Sequence, residues 1–181
     1  MKIALDFDGV LAHTMGLWVD EFNRRHPSKK TVITDVKKWS FFQYEPFSIT
    51  YDEAFDIFDY CWRHAEYIKP LETDQNFRIE ELKELGTVDI VTSIIKNKDN
   101  IRKWLSTYEL KPNDIIFNEE KWNLDYDIFI DDSPVNAAHF IEKGKINVLY
   151  DQPWNRECSG SGIFRIYNLY HAHEIIKTFK R

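Results

Sequence analysis

Short apolar runs alternate with segments of helical periodicity over most of the chain. Strands are predicted at residues 2–5, 88–91, 114–117, 128–130, 146–150 and 163–166. Helices are predicted between them, at residues 77–85, 97–108 and 134–143, with a last helix from about His171. This alternation predicts an α/β fold with a Rossmann-like, mostly parallel sheet.

Residues 14–70 depart from this pattern. They are rich in aromatic and charged residues, they read as helical around 17–25 and 52–67, and no strong parallel-strand signal interrupts them. We therefore predict a small helical cap inserted after the first strand. The predicted domains are an α/β core of residues 1–13 and 71–181 and a cap of residues 14–70.

Composition narrows the class of protein. A chain of 181 residues with 43% hydrophobic residues is typical of a folded globular protein. The net charge of -6 argues against a nucleic-acid polymer or an anionic membrane as the partner. No apolar run is long enough for a signal peptide or a membrane span, and Cys61 and Cys158 indicate neither a metal motif nor a disulfide. A cytoplasmic location is the expectation.

Polar residues stand at the ends of several predicted strands. Asp6, Thr92 and Asp131 each end one of them. In parallel α/β sheets, ligands bind beyond the carboxyl ends of the strands. The pattern therefore predicts a binding site at this edge of the sheet.

The segment Asp6-Phe7-Asp8-Gly9 carries the strongest chemical signal. Alternate side chains of an extended segment point the same way, so Asp6 and Asp8 can converge. A hard divalent cation such as Mg²⁺ would offset their repulsion, after which one carboxylate can attack phosphorus while the other transfers protons. Gly9 lets the backbone turn close to a ligand. The alternative is a turn with two solvated aspartates.

Three further segments offer weaker signals. Asp131-Asp132 could add an acidic metal ligand, or could cap the helix that Pro134 begins. Thr92-Ser93 could hold phosphate oxygens, or could be an ordinary strand end. Lys121 could neutralise a phosphate, or could be a surface lysine.

In order and spacing, these segments resemble the haloacid dehalogenase superfamily of phosphohydrolases, over residues 1–13 and about 71–150. The resemblance implies Asp6 as nucleophile and metal ligand, and Asp8 as general acid and base with its backbone carbonyl at the metal. It implies phosphate binding by Thr92 and Lys121, and an Mg²⁺ site completed by Asp131 and Asp132. As metal residues the prediction thus includes Asp6, Asp8, Asp131 and Asp132.

A narrower resemblance is to the 5′(3′)-deoxyribonucleotidases. It rests on the Thr92-Ser93 pair, the lysine before Asp131-Asp132, and a cap segment at residues 35–39, where aromatic rings line the base pocket. Residues 151–156 also resemble a loop of bacterial relatives. The chain departs from that family at His13-Thr14, where relatives often carry an aromatic residue, and at Ile94, where they usually carry proline.

The aromatic residues of the cap divide into two groups. Helical spacing indicates cap core for Phe55, Phe58, Tyr60 and Trp62. Trp39, Phe41 and Phe42 lie between helical segments, where packing and substrate contact are equally supported, and Trp39 and Phe42 are our candidates for substrate contact. Trp18, one turn after Thr14, could supply the ring that relatives carry there.

The leading hypothesis is a magnesium-dependent phosphatase that hydrolyses a phosphate monoester, with (deoxy)nucleoside 5′-monophosphates favoured, through an aspartyl-phosphate. One alternative is a phosphatase for a small sugar or other metabolite phosphate. Another is a binding protein of the same fold without turnover, against which the full set of site residues argues. The expected partner is a small molecule, and a homodimer is among the oligomeric states left open.

Overall fold

The structure is a computed structural model that describes residues 1–180. The strands are β1 (Lys2–Leu5), β2 (Thr87–Thr92), β3 (Ile115–Phe117), β4 (Ile128–Asp131), β5 (Ile146–Tyr150) and β6 (Ile163–Ile166). The α-helices are α1 (Thr14–Arg25), α2 (Tyr51–Arg63), α3 (Gln75–Lys83), α4 (Lys98–Thr107), α5 (Pro134–Glu142) and α6 (Leu169–Lys177). Short 3-10 turns connect several of them, at Ile33–Asp35, Phe41–Gln43, Ala65–Tyr67, Lys121–Asn123 and Pro153–Asn155.

The strands form one six-stranded sheet in the order β3-β2-β1-β4-β5-β6. Every neighbouring pair is parallel, which confirms the predicted fold class. The chain leaves β1 toward β2 on one side and later returns to β4 on the other. A crevice for ligands is expected where the strand order reverses in this way, at the carboxyl end of β1.

The register of β1 sets the position of the first acidic residue. Leu5 pairs with Ile90 of β2 and with Ile130 of β4. The backbone N–H of Asp6 then donates to the Ile130 carbonyl at 2.9 Å, which extends the ladder by one bond. Asp6 therefore lies beside Asp131 at the carboxyl edge of the sheet.

The helices differ from prediction mainly at their ends. Helix α2 begins behind Thr50, whose hydroxyl accepts the Glu53 N–H, and it stops at Arg63 before a separate 3-10 turn. Ser133 caps α5 by accepting the Asn136 N–H. Asn97 precedes α4 but makes no side-chain cap bond, and its amide donates instead to Asp59 at 3.1 Å.

Residues 14–70, which we call the helical cap, contain α1, α2 and 3-10 turns but no strand. Trp18 of α1 is fully buried among cap rings, stacked on Phe22 and edge-on to Phe41, and its indole donates to the Ala54 carbonyl of α2. One continuous apolar cluster joins these rings to side chains of β1. The cap is therefore built onto the sheet, and the predicted domain boundaries remain a prediction.

No helix in the described part of the chain is long and apolar enough to cross a membrane.

Candidate active site

Three carboxylates meet at the carboxyl ends of β1 and β4. One oxygen from each of Asp6, Asp131 and Asp132 lies within 4.8 Å of the others, and all three residues are buried. Carboxylate oxygens are the ligands that hard divalent cations such as Mg²⁺ prefer. The donor set thus fits the predicted metal.

Lys121 reaches this cluster from the 3-10 turn before β4. Its side chain is 2% exposed, and its ammonium lies 2.6 Å from Asp6 Oδ1 and 2.9 Å from Asp131 Oδ2. A lysine in such surroundings is buried because it is paired on both sides. The surface-lysine alternative is therefore wrong.

Burial and charge act together on the titration of this cluster. Burial raises the pKa of Asp6 well above its usual range, against the opposing charge of Lys121. Burial also raises the pKa of Asp132, and the charges of Asp6 and Asp131 add to that shift. Burial alone would lower the pKa of Lys121, but the Asp131 and Asp6 carboxylates outweigh it and raise the pKa. The carboxylates can all ionise only with more positive charge than one lysine supplies.

The adjacent aspartates of the pair have different surroundings. Asp131 Oδ1 accepts from the Ser133 N–H at 2.9 Å, and the Asn136 amide and Lys121 also bind this carboxylate. Asp132 receives one hydrogen bond through Oδ2 and, within residues 1–180, none through Oδ1. Asp132 therefore has the oxygen more available to a cation.

Gly9 closes the turn after the first motif. Its φ of +71° lies in the left-handed region, and a Cβ placed there would come within 2.0 Å of Asp132 Oδ2. Gln152 donates to the Gly9 carbonyl at 2.7 Å. Glycine is therefore required at this position for two reasons: the backbone conformation, and the close approach of the Asp132 carboxylate, a candidate metal ligand.

The loop of residues 151–156, for which the sequence indicated only a resemblance, holds Asp132 in place. The Trp154 indole donates to Asp132 Oδ2 at 2.9 Å, and the Asn155 amide donates to the Asp132 carbonyl at 2.8 Å. Arg165 of β6 pairs with Asp151 at 2.6 Å and supports the loop from behind. The signal that could have identified these residues is their position directly after β5.

The side chain of Asp8 lies outside the carboxylate cluster and is held by the cap. It accepts hydrogen bonds from the Thr14 hydroxyl and from the Trp62 indole, the latter at 3.2 Å to Oδ2. Burial raises the pKa of Asp8 to about 6, although the Thr14 hydrogen bond and the Lys121 charge act in the opposite direction. Sequence reasoning missed the contact with Trp62.

Thr92 and Ser93 border the same site at the end of β2. Thr92 is buried, and its hydroxyl accepts the Ile94 N–H at 3.2 Å. Ser93 is exposed. Both line the cavity that also contains Asp6 and Lys121.

This cavity has a volume of about 520 Å³ and extends from the carboxylates to the helical cap. Its aromatic lining comprises Trp39, Phe41, Phe42, Tyr51, Phe55, Phe58, Trp62, Trp122 and Trp154. The volume falls within the range of small-molecule sites, roughly 300–1,000 Å³. A planar apolar group joined to an anion would fit both ends of the cavity.

The cap aromatics divide differently from the prediction. Phe55, Phe58 and Trp62 all line the cavity. Phe58 and Trp62 also pack against the apolar core, whereas Phe55 is 42% exposed, so the assignment to the cap core is wrong only for Phe55. Trp18, proposed to replace a ring at Thr14, is instead fully buried within the cap. The α2 rings reach the cavity because α2 has two apolar stripes: one faces the cavity, and the other, formed by Ala54, Ile57 and Cys61, is buried.

The two candidates for substrate contact lie at this wall. Trp39 is 43% exposed and lines the cavity, so its ring is available to a ligand. Phe42 also lines the cavity but is only 8% exposed, because it packs edge-on against Phe41. Phe42 therefore combines both of the roles that the sequence left open.

The fold that carries this acidic site is that of haloacid dehalogenase-like proteins. A putative haloacid dehalogenase-type hydrolase from Bacillus subtilis, YfnB bound to magnesium, superimposes with a TM-score of 0.63 at 13% identity over 97% of each chain. A haloacid dehalogenase-like protein of unknown function from Agrobacterium tumefaciens gives 0.70 at 12% identity over 99% of each chain. A putative beta-phosphoglucomutase from Thermotoga maritima gives 0.58 at 13% identity over 98% of each chain. At sequence identities this low, the similarity to these structures shows a shared fold and no more.

Within that class the sequence identifies the family. Residues 1–180 match the sequence model of the family described as "5′ nucleotidase, deoxy (Pyrimidine), cytosolic type C protein". The chain therefore belongs to this family and is a hydrolase of phosphate monoesters. The match confirms the resemblance that was inferred from the sequence motifs. A search of curated proteins finds no match.

The contact between Trp154 and Asp132 generates a prediction about metal affinity. Trp154→Phe keeps the ring but removes the N–H that orients Asp132, so we expect Mg²⁺ to bind about 10-fold more weakly, as for other partners of metal ligands. Isothermal titration of the free enzyme with Mg²⁺ measures this. Trp122→Phe is the control, because Trp122 lines the same cavity and stacks on His139. Equal affinity in Trp154→Phe and wild type would contradict the assignment.

Proposed function

We propose that the chain is a magnesium-dependent 5′-nucleotidase that hydrolyses (deoxy)nucleoside 5′-monophosphates through an aspartyl-phosphate on Asp6. The observation that carries this proposal is one cavity with two unlike ends. A buried lysine and carboxylates occupy one end, and rings of the cap line the other. A nucleotide has the same division, with a dianionic phosphate joined to a planar base.

In this proposal Asp6 and Asp132 would hold the metal ion directly. The Asp131 carboxylate already accepts hydrogen bonds from Lys121, Ser133 and Asn136, so its role in this proposal is to hold Lys121 in place. The Asp8 side chain lies outside the cluster, which leaves its backbone carbonyl as its route to the metal. Bound Mg²⁺ would neutralise part of the negative charge of the carboxylates and of the substrate phosphate.

In the first step a carboxylate oxygen of Asp6 forms a bond to phosphorus, and the bond from phosphorus to the leaving oxygen breaks. Asp8 donates its proton to that oxygen, so the nucleoside leaves as an alcohol. Lys121 orients the nucleophile through Asp6 Oδ1 at 2.6 Å. Its charge also opposes the negative charge of the phosphoryl group.

In the second step a water molecule attacks the phosphorus of the aspartyl-phosphate. Asp8, now a carboxylate, accepts a proton from the water, the bond between Asp6 and phosphorus breaks, and inorganic phosphate leaves. Thr92 and Ser93 border the space that the phosphoryl group would occupy and would bind its oxygens.

The apolar wall of the cavity favours nucleotides over small sugar phosphates as substrates. A sugar phosphate would leave most of the rings of a 520 Å³ cavity without a partner. Stacking of a base on an aromatic side chain is worth roughly 1–3 kcal/mol. Release of phosphate from a panel of nucleotides and sugar phosphates, with Mg²⁺ and with a chelator, tests the proposal, and full activity in chelator would contradict the metal requirement.

Lys121→Gln tests the phosphate end of the cavity. We expect kcat/KM to fall by about 10²–10³, because the substitution removes a buried charge that faces the phosphoryl group. Lys111→Gln is the control, since Lys111 is exposed on a loop away from the cavity. Circular dichroism verifies that both variants are folded, and equal losses of activity at the two positions would refute the role of Lys121.

Trp39→Ala tests the base end. Loss of stacking by roughly 1–3 kcal/mol should lower kcat/KM for nucleotides about 5- to 150-fold. The rate on 4-nitrophenyl phosphate should change much less, because the phosphate end lies on the sheet. The control is Tyr44→Ala in the same loop, whose ring is 51% exposed and outside the cavity lining. An unchanged ratio of the two specificity constants in Trp39→Ala, with sugar phosphates preferred by the wild type, would contradict the nucleotidase proposal.

A further inference from the structure

We infer that Trp62 is a positioning residue for the general acid, so that the cap controls the proton transfer as well as the choice of substrate. The indole N–H of Trp62 lies 3.2 Å from Asp8 Oδ2 and 3.4 Å from Oδ1. This inference rests on the proposed function, in which Asp8 protonates the leaving oxygen.

The hydrogen bonds that hold the Asp8 side chain come from the cap. Within residues 1–180, its carboxylate oxygens receive them from the Thr14 hydroxyl, at the start of α1, and from the Trp62 indole, near the end of α2. The sheet thus supplies the backbone position of Asp8, and the cap supplies the orientation of its side chain.

Trp62 is itself held from two sides. Asn100 of α4, in the core, donates to the backbone carbonyls of Trp62 and Arg63 at 3.2 and 3.1 Å. On the cap side the ring stacks on Phe58, with 5.7 Å between the ring centroids. The end of α2 that carries the indole is therefore fixed against the core, so its N–H has a defined direction.

The indole also lines the cavity where the leaving group would lie. An indole N–H can donate but cannot accept, so it constrains the direction of the carboxylate without competing for its proton. Proton transfer needs the donor within hydrogen-bond reach of the leaving oxygen. Without the N–H, the Asp8 side chain can rotate away from that direction, and proton transfer becomes less frequent.

Leaving groups of different basicity separate this role from simple binding. A basic leaving oxygen needs the proton of Asp8 as the bond to phosphorus breaks, whereas 4-nitrophenolate leaves with little help. The specificity constant kcat/KM reports on events up to the release of the alcohol, so hydrolysis of the aspartyl-phosphate does not enter it. Phenyl phosphate and 4-nitrophenyl phosphate are close in shape, which cancels most effects on binding.

The test is Trp62→Phe, which keeps an aromatic ring and removes the N–H. We expect kcat/KM for phenyl phosphate to fall about 10-fold, which is less than the roughly 10²–10⁴ that a general acid contributes, because Trp62→Phe leaves Asp8 itself in place. The value for 4-nitrophenyl phosphate should fall less than threefold on the same reasoning. Trp62→His, which retains a ring N–H, should recover part of the loss on phenyl phosphate. Trp122→Phe removes an indole N–H elsewhere in the cavity and should leave the ratio of the two constants unchanged.

Asp8→Asn separates failure of this inference from failure of the proposed function. We expect it to change the ratio in the same direction as Trp62→Phe and by a larger factor. If Asp8→Asn changes the ratio and Trp62→Phe does not, the role of Trp62 is refuted while the proposed function stands. If Asp8→Asn leaves the ratio unchanged, Asp8 is not the general acid, and both are overturned.

Discussion

The contact of the Lys121 ammonium with Asp6 and Asp131 is the interaction on which the rest of the site depends. Taking charges out of water is costly, and the attraction between a buried ammonium and two carboxylates offsets that cost only when the geometry is good on both sides. This geometry is available because β1 and β4 are parallel neighbours that end at the same edge. A third carboxylate, from Asp132, leaves the cluster short of positive charge, which favours a bound cation.

Much of the fold and part of the site could be predicted from the sequence. The alternation of strands and helices predicted the parallel sheet, because short apolar runs bounded by polar residues rarely form anything else when helices separate them. The positions of Asp6, Thr92 and Asp131 at strand ends predicted that they would share one edge. Periodicity could not predict the burial of Lys121, since most of its neighbours are polar and its partner Asp6 is distant in sequence.

The cavity wall was harder to predict because α2 has two apolar stripes with the same helical spacing. The stripe at positions 54, 57 and 61 is buried, and the stripe at 55, 58 and 62 lines the cavity. Both follow the i, i+3, i+7 pattern, and only tertiary packing, in which Trp18 of α1 contacts α2 at Ala54, decides which of them is buried. Trp154 lies in a loop without any periodicity, so its contact with Asp132 needed the structure.

The central claim is that Asp6 carries the phosphoryl group during turnover. The most direct measurement is mass spectrometry of the peptide that contains Asp6, after acid quenching of Asp8→Asn during reaction with 4-nitrophenyl phosphate and Mg²⁺. This substrate forms the intermediate without a strong need for a general acid, and the variant lacks the base that activates water for its hydrolysis. The account predicts phosphate on Asp6. Phosphate on any other residue, or an unmodified peptide from enzyme that releases 4-nitrophenolate in a burst, would contradict it.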